Sequence, residues 1–359
     1  MFRLTRRSMK RLSIISALMF NVYFTHTLIA ENPKLPTVVI VATGGTIAEK
    51  IDPKTGAAIP AVTGEELVAN IPELNKIANI EVVNFSNIDS SQMTPEIWAK
   101  LSKTVDDILK KPYVKGVVIT HGTDTMSEGS YFLDLTLTVN KPVVFTGAMR
   151  NASSPYSDGP PNLINAITQV CDPNATNWGV TVTLNQYINS ARRVSKMQAT
   201  NPQTFQSEES GYLGYILKGK VLRMNDVLYR HTLSIPSVLP KIDILSDYAG
   251  SDGSLIRASV DNGAKGIVVI GVGEGNVNAL MFDAIKYALS KNVTVVISTR
   301  VHNGAIAGEY GDAGGGSTLE AAGAILSTTL RAAKARLLLM LLLPTNKSFS
   351  EIKQYFSEP

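Results

Sequence analysis

The sequence predicts an α/β protein of two domains. The larger, N-terminal one carries a mostly parallel sheet with helices on both faces, and a smaller α/β domain follows it. Three observations point there. Short continuous apolar runs, rich in β-branched residues, recur at 38–42, 116–120, 142–146 and 179–184, as in strands buried on both faces of a parallel sheet. Longer helix-like stretches separate them, and such alternation is how parallel sheets with right-handed crossovers are connected. The rhythm breaks after Ser210 and resumes at Lys241, dividing the 359 residues into two segments of ordinary domain size.

The first thirty residues stand apart. Arg3, Arg6, Arg7, Lys10 and Arg11 come without any acidic residue, and an apolar run follows that ends at Ala30, just before Glu31-Asn32-Pro33. A basic start, an apolar stretch and a small residue read as a secretory signal peptide over 1–30, which places the protein in the periplasm or outside the cell. An uncleaved anchor is the alternative, because the run approaches spanning length, but Thr25, His26 and Thr27 interrupt it. Arg6-Arg7 offers weak support for twin-arginine export. Domain boundaries follow: 31–225 for the first domain, 226–240 for a linker and 241–359 for the second.

Within the first domain, 95–111 reads as a helix. Trp98, Leu101, Val105 and Ile108 recur at three- and four-residue steps, Thr94 can cap, and Pro95 suits the first turn. The stretch 210–241 alternates polar and apolar residues over short spans, with Pro236 and Pro240 near its end, and reads as closing hairpin strands and a linker. Beyond it the pattern predicts strands at 241–245, 266–271 and 294–298 and helices at 253–262 and 278–290. The run 337–343, ending at Pro344, is far too short to span a bilayer and reads as core.

Composition excludes several classes. Apolar residues make up 44% and charged ones 18%, which suits a packed globular chain rather than a disordered one. The formal charge is +4, but the first thirty residues hold five positive charges and no negative one, so the remainder is near −1. A nucleic-acid partner loses its electrostatic footprint, and no membrane partner is expected once the leader is removed. Cys171 is the only cysteine, so no internal disulfide can form. His121, His231 and His302 are not clustered at ligand spacing, which argues against a zinc site.

Ligands of open α/β sheets bind beyond the carboxyl ends of the strands, so the residues just after each apolar run carry the most information. Thr43-Gly44-Gly45-Thr46 follows the first, a tight turn that presents a threonine. Thr120-His121-Gly122-Thr123-Asp124-Thr125-Met126 follows the next strong run and packs hydroxyls and a carboxylate around a glycine. Asp124 could instead be only a helix cap. Gly147-Ala148-Met149-Arg150 follows a third, and Ser157-Asp158-Gly159-Pro160 opens the next helix.

The segments from Ala42 to Ala48 and from Ile119 to Met126 resemble the two signatures of the bacterial-type L-asparaginase family. The likeness continues through Gly147-Ala148-Met149-Arg150, Asp158-Gly159-Pro160 with Asn162-Leu163, Arg193-Val194-Ser195-Lys196, the stretch from Gly271 to Asn276, and Lys334-Ala335-Arg336. The resemblance implies hydrolysis of L-asparagine, and often L-glutamine, through an acyl-enzyme. By the same resemblance Thr46 stands at the nucleophile and Thr123, Asp124 and Lys196 form the second catalytic cluster. Lys196 is expected to organise a proton relay rather than act as a simple base, since a neighbouring carboxylate favours the ammonium. Ser90, Ser91, Gly122, Asp124 and Ala148 are expected to hold a small amino-acid substrate. Asn276, with Glu274 beside it, matches a segment that family members lend to a neighbouring subunit, which implies a homotetramer built as a dimer of dimers. Acyl transfer needs no cofactor and no metal.

Two departures qualify the likeness. Many secreted members carry an activating tyrosine on a loop just after the first signature, whereas no tyrosine lies between Thr46 and Pro112 here. Ser90 is followed by Ser91, where those members have glutamine. The chain thus falls with a subgroup lacking the loop tyrosine, and Tyr310 or Glu309, on a glycine-flanked loop, is the expected replacement from an adjacent subunit. Preference for glutamine remains a second reading. A non-catalytic periplasmic amino-acid-binding protein is a third, although binding alone has less need of Thr46 and Lys196.

Overall fold

The computed structural model describes residues 34–357. The expected signal peptide lies outside the described residues.

One eight-stranded sheet and one four-stranded sheet organise the described chain. In the larger, Val143–Thr146, Val114–Thr120, Thr37–Ala42 and Asn79–Asn84 lie side by side in that order, all parallel. Val180–Leu184 continues the parallel run beyond Val143–Thr146. Tyr187–Ser190, Gly214–Leu217 and Lys220–Arg223 then extend the sheet antiparallel. The four-stranded sheet is wholly parallel, in the order Ile242–Ser246, Gly266–Gly271, Thr294–Thr299 and Ile325–Leu326.

The apolar runs behave as strands buried on both faces because alternate side chains enter different cores. Val38, Ile40, Val118 and Val144 pack with Leu163, Ala166, Ile167 and Val170 of helix Gly159–Cys171. Val39, Val41, Val117, Ile119, Val143 and Phe145 face the other way, onto helices Pro95–Leu109 and Met126–Thr136. Helices therefore cover both faces, as expected. Thr94 caps the helix that begins at Pro95, accepting from Ile97 N at 3.4 Å.

The apolar run near the C-terminus lies within helix Ala332–Leu342, which is buried along most of its length. Its leucines share one core with Val268 and Val296 of the smaller sheet and with helix Met126–Thr136 of the larger part. The opposite face of the smaller sheet, through Ile267, Val269, Val295 and Ile297, packs on helices Ser254–Asp261 and Ala279–Ser290. The stretch 210–241 forms one hairpin, Gly214–Leu217 with Lys220–Arg223, and from Met224 to Lys241 it has neither helix nor strand. No helix among the described residues is long and apolar enough to cross a membrane.

Candidate active site

The loops that leave the carboxyl ends of Thr37–Ala42, Asn79–Asn84, Val114–Thr120 and Val143–Thr146 converge on one edge of the large sheet. Close approaches of main chain hold them there. Thr43, fully buried, ties the first loop to the third: its hydroxyl donates to Thr120 O at 2.9 Å and its N–H to the same oxygen at 3.1 Å. Gly44 has φ +109°, and a Cβ there would lie 2.5 Å from Ile88 O. Gly45 has φ +82°, and a Cβ there would overlap Gly122 Cα and N. At Gly122 a Cβ would strike Ser90 Oγ at 2.5 Å, and at Gly147 it would overlap His121 O. Glycine is required at Gly44 and Gly45 by both the positive φ and the contact. Since Gly45 touches Gly122, the next residues, Thr46 and Thr123, are presented at one mouth.

Thr123 is buried, and Lys196 donates to its Oγ1 at 3.0 Å and to Asp124 Oδ1 at 2.6 Å. The Lys196 side chain is 20% exposed and that of Asp124 58%, so the pair sits at the rim, with the lysine the more enclosed member. Neither is a bystander: Lys196 is not a free surface charge, and Asp124 caps no helix. Helix Met126–Thr136 begins after Thr125, which makes no side-chain cap.

Ser90 is buried and knits the second loop to the third. Its Oγ accepts from Asp124 N at 3.2 Å, and its carbonyl accepts from Thr125 Oγ1 at 2.7 Å. Ser91 faces solvent, and its N–H donates to Asp89 Oδ1 at 2.7 Å. The Ser91 side chain and N–H hold the Asp89 carboxyl below its ordinary range. Ala148 is buried on the fourth loop. Asp158 fixes the residues after it, accepting from Met149 N at 3.0 Å and Arg150 N at 2.8 Å, while Asn162 Nδ2 donates to Gly147 O at 2.9 Å.

Beneath the mouth, His121 is fully buried with Nδ1 2.7 Å from Gly122 O, and burial pulls its pKa down to about 4. Lys334 is a second buried basic group. Its Nζ donates to Arg192 O at 2.8 Å and Val194 O at 2.5 Å, fixing the chain just before Lys196. Burial first, and then the charges of Arg192 and Arg193, hold its pKa well below that of an ordinary lysine.

The C-terminal candidates are elsewhere in the chain. Asn276 closes a turn with Val272, and Glu274 Oε1 accepts from Ala307 N at 3.2 Å. Glu309 and Tyr310 are exposed. Among the described residues, no hydrogen bond or ion pair joins Asn276, Glu309 or Tyr310 to Thr46, Thr123, Asp124 or Lys196 of the same chain.

Sequence reasoning passed over Asp89 and Glu49 and gave Lys334 no role of its own. Glu49 lies directly after the turn Thr46–Ala48, is only 9% exposed, and has the Thr46 side chain within reach of its carboxylate. Burial, and next the charge of Asp89, raise its pKa. An acidic residue three positions after the presented threonine was the available signal. The segment behind it is a closed hairpin, Glu49–Ile51 with Ala58–Pro60, whose turn is ordered by Asp52 accepting from Lys54 N and Thr55 Oγ1.

Comparison with known proteins identifies the family. The family description "Asparaginase, N-terminal" matches residues 37–228, and "Glutaminase/Asparaginase C-terminal domain" matches 241–356. A probable periplasmic L-asparaginase of Haemophilus influenzae is 39% identical over 92% of this chain and 95% of its own length. L-asparaginase 2 of Escherichia coli K12 is also 39% identical, over 90% and 93%. The crystal structure of a probable cytoplasmic L-asparaginase from Campylobacter jejuni superimposes with a TM-score of 0.83 at 39% identity, covering 90% of this chain and all of that one. The chain belongs to the asparaginase family, through its N-terminal and its C-terminal parts alike.

Proposed function

We propose that the protein hydrolyses L-asparagine to L-aspartate and ammonia, with Thr46 as nucleophile and an acyl-enzyme as intermediate. The observation that best supports this reading is the close approach of Gly45 to Gly122, which brings the backbone just before Thr46 against the turn that carries Thr123 and Asp124, the partners of Lys196. A hydroxyl needs a proton acceptor and a fixed geometry to attack an amide, and four loops locked through main chain provide the geometry. Asp124, exposed at the rim, suits the substrate's α-ammonium, and Lys196 moves or holds a proton between Thr123 and Asp124. The names of the relatives support asparagine as substrate. A binding protein without catalysis would not need the enclosed lysine bonded to a buried threonine. L-glutamine is a second substrate in this reading, because one methylene is worth about 1–3 kcal/mol in a fitted pocket.

Export through the leader over 1–30 and assembly as a dimer of dimers belong to the same proposal. So do the boundaries 31–225, 226–240 and 241–359, and a loan of Asn276 and the Glu309–Tyr310 loop to the adjacent subunit. One relative is named periplasmic, which fits export. The test is ammonia release from L-asparagine and L-glutamine by the chain starting at Glu31 and by its Thr46→Ala variant. Release from asparagine that Thr46→Ala abolishes is expected. Folded oligomer that releases ammonia from neither amide would refute the reading.

A further inference from the structure

We propose that Glu49 takes the proton from the Thr46 hydroxyl, the task for which this chain has no tyrosine in the segment after the first signature. The inference rests on Thr46 being the nucleophile, and its geometry is local. The turn Thr46–Ala48 brings Glu49 back onto Thr46, with Glu49 N donating to Thr46 O, and residues three apart in such a tight turn share one side, which puts the Glu49 carboxylate within reach of the Thr46 side chain. Glu49 is a buried residue, whereas the Asp124 side chain is 58% exposed.

Glu49 is also held in place. Its strand pairs with Ala58–Pro60, Glu49 O accepts from Ala152 N at 3.0 Å, and Ile51 N donates to Ser153 Oγ at 3.0 Å. Ala152 and Ser153 follow the Gly147–Arg150 loop, so the base is referenced to the same frame as the rest of the site. The carboxylate is thus carried by a pinned hairpin.

The electrostatics suit a base. Ordinary carboxylates are too acidic to take a hydroxyl proton well, and burial with like charges nearby corrects that. Asp89 and Asp124 both add negative potential at Glu49, and Ser91 keeps Asp89 ionised. Lys196 is a poor rival for the role. It spends its donors on Thr123 and Asp124.

The step balances without a co-reactant. Thr46 Oγ1 bonds to the amide carbon as its proton passes to Glu49, and the carbonyl π pair moves onto oxygen. When that pair returns, the carbon–nitrogen bond breaks and nitrogen leaves as ammonia with the proton from Glu49. Water then gives a proton to Glu49 and its oxygen to the acyl carbon, and Thr46 Oγ1 departs with the proton taken back.

The experiment compares kcat and KM for L-asparagine across pH in the parent, Glu49→Gln, Glu49→Asp and Thr46→Ala, with L-aspartate affinity and thermal melting beside them. Glu49→Gln, which keeps shape and removes the base, is expected to lower kcat by about 10²–10⁴-fold. Its KM and L-aspartate affinity should change little, and the acid limb of its kcat profile should disappear. Glu49→Asp should retain a displaced limb. In the parent that limb should lie above the usual carboxylate range. A Glu49→Gln enzyme with near-parent kcat, or with the acid limb intact, while Thr46→Ala is dead, would overturn the role of Glu49 and leave the threonine reading standing. Loss of L-aspartate binding together with kcat would also overturn it, assigning Glu49 to the frame. Activity surviving in Thr46→Ala would instead bring down the nucleophile itself.

Discussion

Replacing Gly45 by alanine should damage the proposed chemistry far more than the fold. The added Cβ has two consequences that can be sized separately. At φ +82° and ψ 178°, a region essentially reserved for glycine, an L-residue costs about 1–3 kcal/mol of local strain. The methyl also overlaps Gly122 Cα and N, more than about 1 Å inside ordinary carbon contact. Both sides of that contact are main chain, so no side chain can swing away. The Thr46 loop and the Gly122–Asp124 turn must separate by something on the order of 1 Å, and a misplacement of that size can cost a catalytic site about 10²-fold. Gly56→Ala is the matched control, since Gly56 has φ +70° but a Cβ there would meet nothing within 4 Å. Both variants should melt lower than the parent, Gly56→Ala by the strain alone. Only Gly45→Ala should lose kcat/KM for L-asparagine, by about a hundredfold, measured as ammonia release. Full activity in Gly45→Ala, or an equal loss in Gly56→Ala, would refute the claim that main-chain contact sets the site.

Asp158→Ala removes the acceptor for Met149 N and Arg150 N, and should cost about 1–3 kcal/mol in urea unfolding together with a fall in kcat/KM, because the Ala148 loop loosens. Lys334→Met should lower kcat without changing the melting cooperativity. Two buried carbonyls lose their donor just before Lys196, and unchanged kinetics would show that Lys196 is positioned by its own hairpin. His121, with its pKa drawn from 6.5 to about 4, stays neutral in the fold where the unfolded chain binds a proton. Stability should therefore fall as pH drops from about 6.5 towards 4, by roughly 3 kcal/mol in all from this group, and a His121→Asn chain that loses just as much across that window would remove the attribution.

The large features were legible because burial on both faces leaves unbroken apolar runs. The strands at Val114–Thr120, Val143–Thr146, Val180–Leu184 and Gly266–Gly271 announce themselves in this way. Asn79–Asn84 did not, since it is an edge strand, half-buried along most of its length, and its run is broken by Glu81. Helix Ala332–Leu342 was seen only as core, because a helix packed between a sheet and another helix is apolar on nearly every face and loses the 3.6-residue signature. At the site, the glycines and threonines stood in recognisable strings. Glu49 and Asp89 stood outside those strings, and Lys334 stood in one, Lys334-Ala335-Arg336, that does not reveal what its side chain reaches. Lys334 reaches Arg192 and Val194 from far along the chain, and no spacing in the sequence encodes that.

The arrangement also says where substrate preference can vary. Loops locked through Gly44, Gly45, Gly122 and Gly147 have little room to change, since each close approach ends on backbone or on buried Ser90. The exposed groups at the rim outside the catalytic cluster are Asp89 and Ser91. A pocket wall that can move without disturbing the nucleophile must be built from such groups. Ser91→Gln is therefore expected to shift the asparagine-to-glutamine ratio of kcat/KM by several-fold while leaving the acid limb of the pH profile in place. A changed limb with an unchanged ratio would mean that Ser91 acts through Asp89 on the proton chemistry instead.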